Sequence, residues 1–287
     1  MSKRVRPDEP LPRQVKLVKI NNEKIVPVKV KAEPQNYPGK HISPSTRYPN
    51  INPCGAKGSG KTSAVTHMVD RFVDEHSHVI IFCPTVNTDP RWIALTRRLK
   101  EKGVDLQKYT AIVEVETDKA TGQKTKINRL KELIDMLIEE YGEEEKDEKE
   151  DETDEKDEAF LTNYVIVFGD MAEDMHIPAV GQLNRRNRHF HAVVIEESHE
   201  FKDLNPASRR NQDIGLYYYG HPEEQMLQIY RQMCVRIPFP EFYGYYKSVT
   251  RRDENAPESE RHNFLYVNKF TGELRKNFDF KIPVSVK

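Results

Sequence analysis

Short apolar runs alternate with helical patterns over the central part of the chain, which we place at residues 46–250. The run His78–Phe82 is followed by Pro84, and Tyr164–Phe168 and His191–Ile195 are similar in length and composition. Short apolar runs with polar neighbours are typical of strands that are buried on both faces. The pattern therefore predicts at least three core strands.

A helix is predicted ahead of the second of these strands. Apolar residues recur there at spacings of three and four, which is the pattern of one helix face: Ile127, Leu130, Leu133, Ile134, Leu137, Ile138 and Tyr141. Tyr109–Val115, which precedes this helix, is a further candidate strand. Repetition of strand, helix and strand predicts the α/β class, with a largely parallel central sheet covered on both faces.

The two ends of the chain follow other patterns. Residues 1–45 are rich in proline and basic residues, and the alternating segments Lys16–Ile20 and Ile25–Val30 predict one short hairpin within a basic N-terminal arm. Residues 251–287 begin as a polar linker. They end with Asn263–Val267 and Glu273–Phe280, which predict a C-terminal hairpin.

The formal net charge of −1 is the sum of two opposite parts. Residues 139–158 hold 14 acidic residues and 3 lysines, a net charge of −11, so the rest of the chain carries +10. The first 49 residues alone carry +7. The acidic block is too charged to bury a core, and we expect a disordered insert that is either simply solvated or restrains the basic surface. The basic remainder favours a polyanionic partner.

Hydropathy and cysteine content exclude other classes. The mean hydropathy is −0.78, and no apolar run approaches the ~20 residues of a membrane-spanning helix. The basic N-terminus lacks the apolar core of a signal peptide. The three cysteines show no metal-binding spacing and are odd in number, which favours a reducing, cytosol-like compartment. The hydropathy favours no membrane association.

The segment that begins at Gly55 matches G-x-x-x-x-G-K-[ST] in full. In this motif the backbone N–H groups surround phosphate oxygens, Lys61 reaches the β- and γ-phosphates, and the Thr62 hydroxyl binds Mg²⁺. A helix is expected to begin near Lys61, although Pro49 and Pro53 make the preceding segment a poor central strand. The predicted ATP-binding set is Gly55, Ala56, Lys57, Gly58, Ser59, Gly60, Lys61, Thr62 and Ser63.

An ATPase of this kind also needs a carboxylate at the end of a neighbouring strand. Asp170 follows the Tyr164–Phe168 run, and we expect it to hold Mg²⁺ together with Thr62. A second carboxylate is needed to activate the attacking water. Glu173 is the favoured candidate, and Glu196 and Glu197, which close the next strand, remain alternatives.

These landmarks, in order, resemble the poxvirus-type genome-packaging ATPases of the FtsK–HerA superfamily. The resemblance extends over about residues 50–220 and includes the phosphate-binding motif, Pro84-Thr85, Asp170, Arg188-His189, Arg209 and Asn211. It implies a RecA-like core and a ring-forming homo-oligomer, a pentamer or hexamer, that moves double-stranded DNA. It also implies a capsid or portal partner in the host cytoplasm.

The resemblance assigns further roles. Arg188 or Arg209 would be an arginine finger that completes a neighbouring subunit's site; the alternative is that each pairs with acids or with DNA phosphates. Two positions depart from the family pattern. Gly169 stands where relatives have the first of two acids, and His199 stands where they have a glutamine that senses the γ-phosphate.

The expected function is therefore an ATP-driven motor that packages a viral genome into a preformed capsid. Two alternatives stay open: a P-loop kinase or nucleotide switch without translocation, and a catalytically weak ATP-binding structural subunit. The tyrosines at Tyr217–Tyr219, Tyr243, Tyr245 and Tyr246, with Arg251 and Arg252 nearby, are either core residues or a DNA-binding surface.

Overall fold

The computed structural model describes residues 36–117, 122–142, 163–252, 257 and 261–283. The predicted arm hairpin, and residues 143–158 of the predicted acidic insert, lie outside these residues. In chain order the strands are β1 (Asn50–Cys54), β2 (Ser77–Phe82), β3 (Asp105–Tyr109), β4 (Val113–Thr117), β5 (Lys124–Asn128), β6 (Asn163–Phe168), β7 (Ala192–Glu196), β8 (Ile214–Tyr218), β9 (Phe264–Asn268), β10 (Leu274–Lys276) and β11 (Phe280–Lys281). The α-helices are α1 (Lys61–Phe72), α2 (Pro90–Glu101), α3 (Arg129–Gly142), α4 (Pro178–Arg186), α5 (Pro206–Asn211), α6 (Glu223–Gln232) and α7 (Phe239–Thr250).

The central sheet has the order β11-β10-β9-β8-β1-β7-β6-β2-β3. All pairings from β8 across to β3 are parallel, whereas β9, β10 and β11 are antiparallel additions at one side. The predicted α/β class with a largely parallel sheet is confirmed. Because parallel strands point the same way, the carboxyl ends of β1, β7 and β6 meet at one edge of the sheet.

Helices cover both faces of the sheet, which explains why its inner strands are continuously apolar. Along β2, Val79 and Ile81 point to the face packed by α1 and α2, whereas Ile80 and Phe82 belong to the opposite cluster with α3, α4, α6 and α7. Successive strand side chains point to opposite faces, so both sets are buried only when both faces are covered. No helix among the described residues is long and apolar enough to span a membrane.

The predicted strand Tyr109–Val115 is wrong as a single element. β3 ends at Tyr109, and β4 begins at Val113 in a separate two-stranded ribbon with β5. Ile112 between them is fully buried, and its carbonyl accepts a hydrogen bond from the Arg129 N–H, while Val115 is 55% exposed. The alternating apolar residues of this segment belong to a surface ribbon. A short apolar run looks the same in a surface ribbon and in a core strand, so the sequence pattern alone does not tell them apart.

β1 is a central strand despite Pro53. Proline has no N–H to donate, and β1 is paired in register with β7 only at Asn50 and Ile51. The Asn52 side chain compensates at this point: its Nδ2 lies 2.5 Å from the Glu196 carbonyl oxygen and 3.0 Å from Ser198 Oγ. The Pro53 carbonyl still accepts from the Ser198 N–H. A side-chain amide thus replaces the hydrogen bond that proline does not make to the neighbouring strand. This replacement explains why the proline does not exclude a central strand here.

The ends of the described core differ from the predicted boundaries. Tyr37 and Ile42 are buried, and the Tyr266 hydroxyl donates to the Ile42 carbonyl, so residues 36–45 pack on the core and the arm boundary at residue 45 is too late. The C-terminal strands are two hairpins that extend the central sheet through β8. Residues 139–142 of the acidic block belong to α3, where Glu140 accepts from the Tyr164 hydroxyl.

Two residues of α2 test the burial pattern directly. Leu95 is fully buried and Ile93 is 50% exposed, and their side chains contain the same number of carbons. Leu95→Ala is expected to lower the free energy of unfolding by about 2–5 kcal/mol, because it leaves a cavity in the core. Ile93→Ala should change it by no more than about 0.5 kcal/mol. Urea unfolding followed by circular dichroism measures both, and equal losses would contradict this packing of α2.

Candidate functional site

The phosphate-binding motif forms the turn between β1 and α1. α1 begins at Lys61, as predicted, and Gly60 before it has a φ of 98°, a left-handed conformation that favours glycine. A Cβ at Gly60 would lie 2.9 Å from Cβ of His262, and one at Gly55 would lie 2.6 Å from Cβ of Tyr218. The loop is therefore closely packed on its outer side, and its conformation requires the glycines at both positions.

The inner side of this loop fits a phosphate group. α1 is 12 residues long, so the positive end of its dipole and its free N–H groups face the loop. Ser59 is buried, and its hydroxyl has no hydrogen-bond partner among the described residues. Lys61 also points into the same cavity of about 330 Å³. A buried unpaired hydroxyl, a helix N-terminus and an ammonium group together favour an anionic ligand such as the phosphates of ATP.

Lys61 is held within the loop by its own motif. Its Nζ donates to the carbonyl oxygens of Gly55 at 2.7 Å and Ala56 at 3.2 Å, and it lies 3.9 Å from Oε1 of Glu197. Burial lowers the pKa of Lys61, and the Glu197 carboxylate acts in the opposite direction. The ammonium group is therefore pre-positioned beside the loop, where phosphate oxygens are able to replace the carbonyl acceptors.

Thr62 faces a carboxylate on the neighbouring strand. Its hydroxyl lies 3.1 Å from Oε1 and 3.3 Å from Oε2 of Glu197, the residue that directly follows β7. Glu197 is only 7% exposed. Burial raises the pKa of this carboxyl, whereas Lys61 and the Thr62 hydroxyl lower it. A threonine hydroxyl and a carboxylate are hard oxygen donors of the type that Mg²⁺ prefers.

Asp170 and His199 form a hydrogen-bonded pair on the other side of the same cavity. Nε2 of His199 lies 2.8 Å from Oδ1 of Asp170, and Nδ1 of His199 lies 3.4 Å from Nζ of Lys61. A lysine ammonium only donates, so Nδ1 accepts and the ring proton of a neutral His199 is on Nε2, directed at Asp170. Asp170 is 59% exposed, which leaves its carboxylate open to the cavity.

The cavity also contains residues that the sequence analysis did not select. Arg91, in the first turn of α2, donates to both carboxylate oxygens of Asp89, at 3.0 Å and 2.6 Å. Cys83 and Trp92, from the end of β2 and from α2, also line the cavity without having been selected. Thr85 and Gly169, which the sequence analysis did name, line it beside them. A sequence signal for Arg91 exists, because Asp89-Pro90 is a helix start that follows the β2 strand.

Glu173 and the two arginines do not line this cavity. Glu173 is an exposed residue next to a short 3₁₀-helix. Arg188 precedes β7 and therefore lies at the opposite, amino edge of the sheet, where it pairs with Asp213 at 3.3 Å. The Arg209 guanidinium lies 5.9 Å from the centre of the Phe201 ring. Glu173 was selected because it closely follows Asp170, and the arginines because the resemblance assigns one of them to a neighbouring subunit's site. The fold separates Arg188 from the phosphate-binding loop of its own chain.

Glu196 is separated from Glu197 by the alternation of strand side chains. Its Oε1 accepts from Nδ2 of Asn184 at 2.8 Å and from Oγ of Ser208 at 2.9 Å, inside the protein. Burial raises the pKa of Glu196 to about 7. Of the two adjacent glutamates, only Glu197 faces the phosphate-binding loop.

No family model matches this sequence. No curated protein matches it either. Solved structures that are similar include the genome packaging NTPase B204 from Sulfolobus turreted icosahedral virus 2 in complex with AMPPCP, at 11% identity and a TM-score of 0.45, over 83% of this chain and 100% of that chain.

A second similar structure is EssC (ATPases 2 and 3) from Geobacillus thermodenitrificans, at 12% identity and a TM-score of 0.45, over 89% of this chain and 44% of that chain. The cytoplasmic domain of the Thermomonospora curvata type VII secretion ATPase EccC is similar at 8% identity and a TM-score of 0.43, over 82% of this chain and 24% of that chain. Likenesses this distant do not establish an activity for this chain.

The strand order agrees with the RecA-like fold that the motifs imply. The phosphate-binding loop follows β1, β1 lies between β7 and β8, and β6 and β2 follow beyond β7. The loop is therefore at the middle of the sheet, at the carboxyl edge where ligands of parallel α/β sheets bind. The chain thus has the RecA-like α/β fold that its motifs predict, with the phosphate-binding loop at the carboxyl edge of the sheet.

Glu196→Gln is expected to remove part of the pH dependence of stability. Between the unfolded carboxyl pKa of about 4.3 and the folded value of about 7, the folded state keeps a proton that the unfolded chain has lost. The free energy of unfolding of the native protein therefore falls as pH rises through this range. A neutral glutamine does not titrate, so the variant should gain stability relative to the native protein as pH rises.

Thermal melting at about pH 5, 6.5 and 8 measures this difference. Glu101→Gln, at a side chain 67% exposed, is the matched control and should follow the native protein at each pH. Parallel curves for Glu196→Gln and the native protein would contradict a buried, proton-binding Glu196.

Proposed function

We propose that this protein is an ATP-hydrolysing motor that moves double-stranded DNA, and that it packages a viral genome into a capsid. The observation that carries the proposal is the shared cavity of the phosphate-binding loop, the Thr62–Glu197 contact and the Asp170–His199 pair. A phosphate cradle alone also suits a kinase or a switch. Two carboxylates beside it, one buried and one open, suit a reaction in which water attacks the γ-phosphate.

The nucleotide phosphates would be bound by the loop from Gly55 to Gly60 and by the first residues of α1, including Thr62 and Ser63. Lys61 exchanges its present carbonyl acceptors for β- and γ-phosphate oxygens, which neutralises charge that develops during transfer. Mg²⁺, when bound, supplies further neutralisation of the phosphates. The Thr62 hydroxyl and the carboxylates of Glu197 and Asp170 are oxygen donors in the cavity that would be able to hold it.

His199 connects the phosphate-binding lysine with the open carboxylate. Its Nδ1 accepts from Lys61 and its Nε2 donates to Asp170. When Lys61 turns to a phosphate, Nδ1 of His199 loses its donor, and the attacking water donates to Nδ1 in its place. His199 thereby responds to occupancy of the γ-phosphate position, the sensing role that the resemblance assigns to this position.

DNA binding and ring formation are supported by charge and by topology. Outside residues 139–158 the chain carries +10, which favours contact with a phosphate backbone. Arg188 lies at the amino edge of the sheet, so it is available to the site of a second copy and not to its own. We therefore propose a ring of identical subunits around duplex DNA, acting with a capsid or portal protein in the host cytoplasm.

ATP turnover, measured with and without duplex DNA, tests the motor. We expect DNA to stimulate turnover, and Lys61→Ala to reduce it by at least about 10²-fold, because an ammonium group aimed at the transferred phosphate is lost. Stimulation should decline steeply with salt, since phosphate contacts release counterions. Turnover indifferent to DNA, together with phosphorylation of a small molecule, would favour the kinase, and the absence of turnover despite ATP binding would favour a structural subunit.

Arg188→Ala tests completion of the site between subunits. Turnover should fall by about 10³-fold, the typical contribution of an arginine finger, while affinity for ATP changes little. Mixing Arg188→Ala with Lys61→Ala subunits should restore part of the turnover, because an intact finger then meets an intact loop. Arg97→Ala, which removes an arginine 78% exposed on α2, is the control. Mixed subunits that stay inactive would exclude a role of Arg188 in a neighbouring site.

A further inference from the structure

Three carboxylates line the cavity. Asp89 is paired with Arg91, and the other two, Glu197 and Asp170, differ in what they contact. Glu197 is buried and bonded to the Thr62 hydroxyl, the group expected to bind the metal, whereas Asp170 is half-exposed and bonded to His199. The sequence motif had paired Thr62 with Asp170. In the structure each carboxylate has a partner of its own. The motif had given the metal role to Asp170 from its order along the chain, whereas the structure puts Glu197 beside the metal-binding hydroxyl.

Strand order explains why Glu197 is nearer to the loop. β7 lies between β1 and β6, so its carboxyl end is adjacent to the phosphate-binding loop and the end of β6 is one strand farther away. The Gly55 N–H donates to the Ser198 carbonyl at 3.1 Å, and the Glu197 N–H donates to the Phe168 carbonyl at 2.8 Å. Backbone bonds on both sides thus fix Glu197 opposite Thr62 before any ligand binds.

The end of β6 is crowded at the position where a second acid would stand. A Cβ at Gly169 would lie 3.2 Å from Sγ of Cys83 and 3.2 Å from Cζ2 of Trp92, both of which are buried. A side chain at this position would require the Cys83 sulfur and the Trp92 ring to shift by a few tenths of an ångström within a packed cluster. The space that an acid would need on β6 is filled by apolar side chains, and Glu197 projects from the adjacent strand instead.

Charge balance favours a cation beside Glu197. Its carboxylate is removed from water, and the ion pair with Lys61 is long, at 3.9 Å. Lys61 is moreover the residue that turns to the phosphates when a nucleotide binds. A buried carboxylate that loses its partner is costly unless another positive charge replaces it. A divalent cation bound with the nucleotide supplies this charge at a site already made of oxygen donors.

We propose that Glu197, and not Asp170, is the carboxylate that acts with Thr62 to hold the Mg²⁺ of the Mg²⁺–ATP complex, and that Asp170 with His199 faces the attacking water. This inference rests on the proposed nucleotide binding, and it reverses the metal role predicted for Asp170. Each carboxylate then has one role. The buried one is fixed by the sheet beside the metal, and the open one is in contact with the space where water enters.

The test is the gain in nucleotide affinity that Mg²⁺ produces, measured by calorimetry with the full chain and the non-hydrolysable analogue AMPPCP, in Mg²⁺ and in EDTA. Glu197→Gln should reduce this gain by about 10–100-fold, the usual cost of removing a group that supports a metal. Its affinity in EDTA should be unchanged or higher, because a negative charge near the phosphates is gone. Asp170→Asn should keep the gain.

Two further variants separate folding from metal binding. Glu196→Gln, one residue away on the opposite face of β7, should keep the full gain. Glu197→Asp is the substitute variant if Glu197→Gln does not fold. It keeps the charge but shortens the side chain by one methylene, which withdraws the carboxylate from Thr62, so it should lose most of the gain in affinity. The electron paramagnetic resonance spectrum of Mn²⁺ with AMPPCP should change in the Glu197 variants and not in Asp170→Asn.

The outcomes are distinct. A gain that is lost in Asp170→Asn and kept in the Glu197 variants overturns the inference and restores the motif-based pairing. A loss in both sets overturns the exclusive role of Glu197. A native protein that binds AMPPCP equally in Mg²⁺ and in EDTA also overturns it while leaving nucleotide binding intact. A native protein that binds no nucleotide at all overturns the proposed function together with this inference.

Discussion

The parallel packing of β7 beside β1 is the constraint on which the rest of the site depends. An isolated parallel β-bridge pairs Cys54 with Ser198, and the Gly55 N–H donates to the Ser198 carbonyl. These backbone contacts join the start of the phosphate-binding loop to the end of the neighbouring strand. A slip of one residue would turn Glu197 into the opposite helix layer and bring Glu196 to the loop. The register therefore determines which of two adjacent glutamates faces Thr62, and no local property of the Glu-Glu pair would decide it.

Burial of charge is the cost of this arrangement. Lys61 and Glu197 are 4% and 7% exposed, and their 3.9 Å separation is too long for a strong direct bond. Removing two ions from water is offset only when further hydrogen bonds satisfy them, which here come from loop carbonyls and the Thr62 hydroxyl. Each of these hydrogen-bond partners, the loop carbonyls and the Thr62 hydroxyl, is replaceable by an atom of a ligand. If the proposed nucleotide and its cation bind here, this site gains more from them than a site whose charges are fully paired would.

The parts of the fold that a local pattern encodes were predictable from the sequence. The phosphate-binding loop is eight contiguous residues, and α3 and the strand β2 are continuous periodic segments, so each was predicted close to its observed bounds. β1 was doubted because of its prolines. The Asn52 side chain replaces the missing hydrogen bond through residues more than 140 positions away, and no local pattern indicates such a contact. The contact between Thr62 and Glu197 has the same origin: several carboxylates follow strands along the chain, and only the strand order selects among them. Gly169 was identified as a departure, but the tryptophan that fills its space was not.

The positions of the phosphate-binding loop and of Arg188 bear on the proposed contact between subunits. Loop and carboxylates lie at the carboxyl edge of the sheet, while Arg188 lies at the amino edge beside a cavity with further basic residues: Arg185, Arg210 and Lys269. A five-residue strand such as β7 spans roughly 16 Å, more than an arginine side chain reaches, and β7 is rigidly paired on both sides. No rotamer change brings Arg188 to Lys61 of the same chain. If this arginine acts on a nucleotide, a second copy must present its carboxyl edge to the amino edge of the first, and a head-to-tail contact of that kind closes into a ring or extends into a filament.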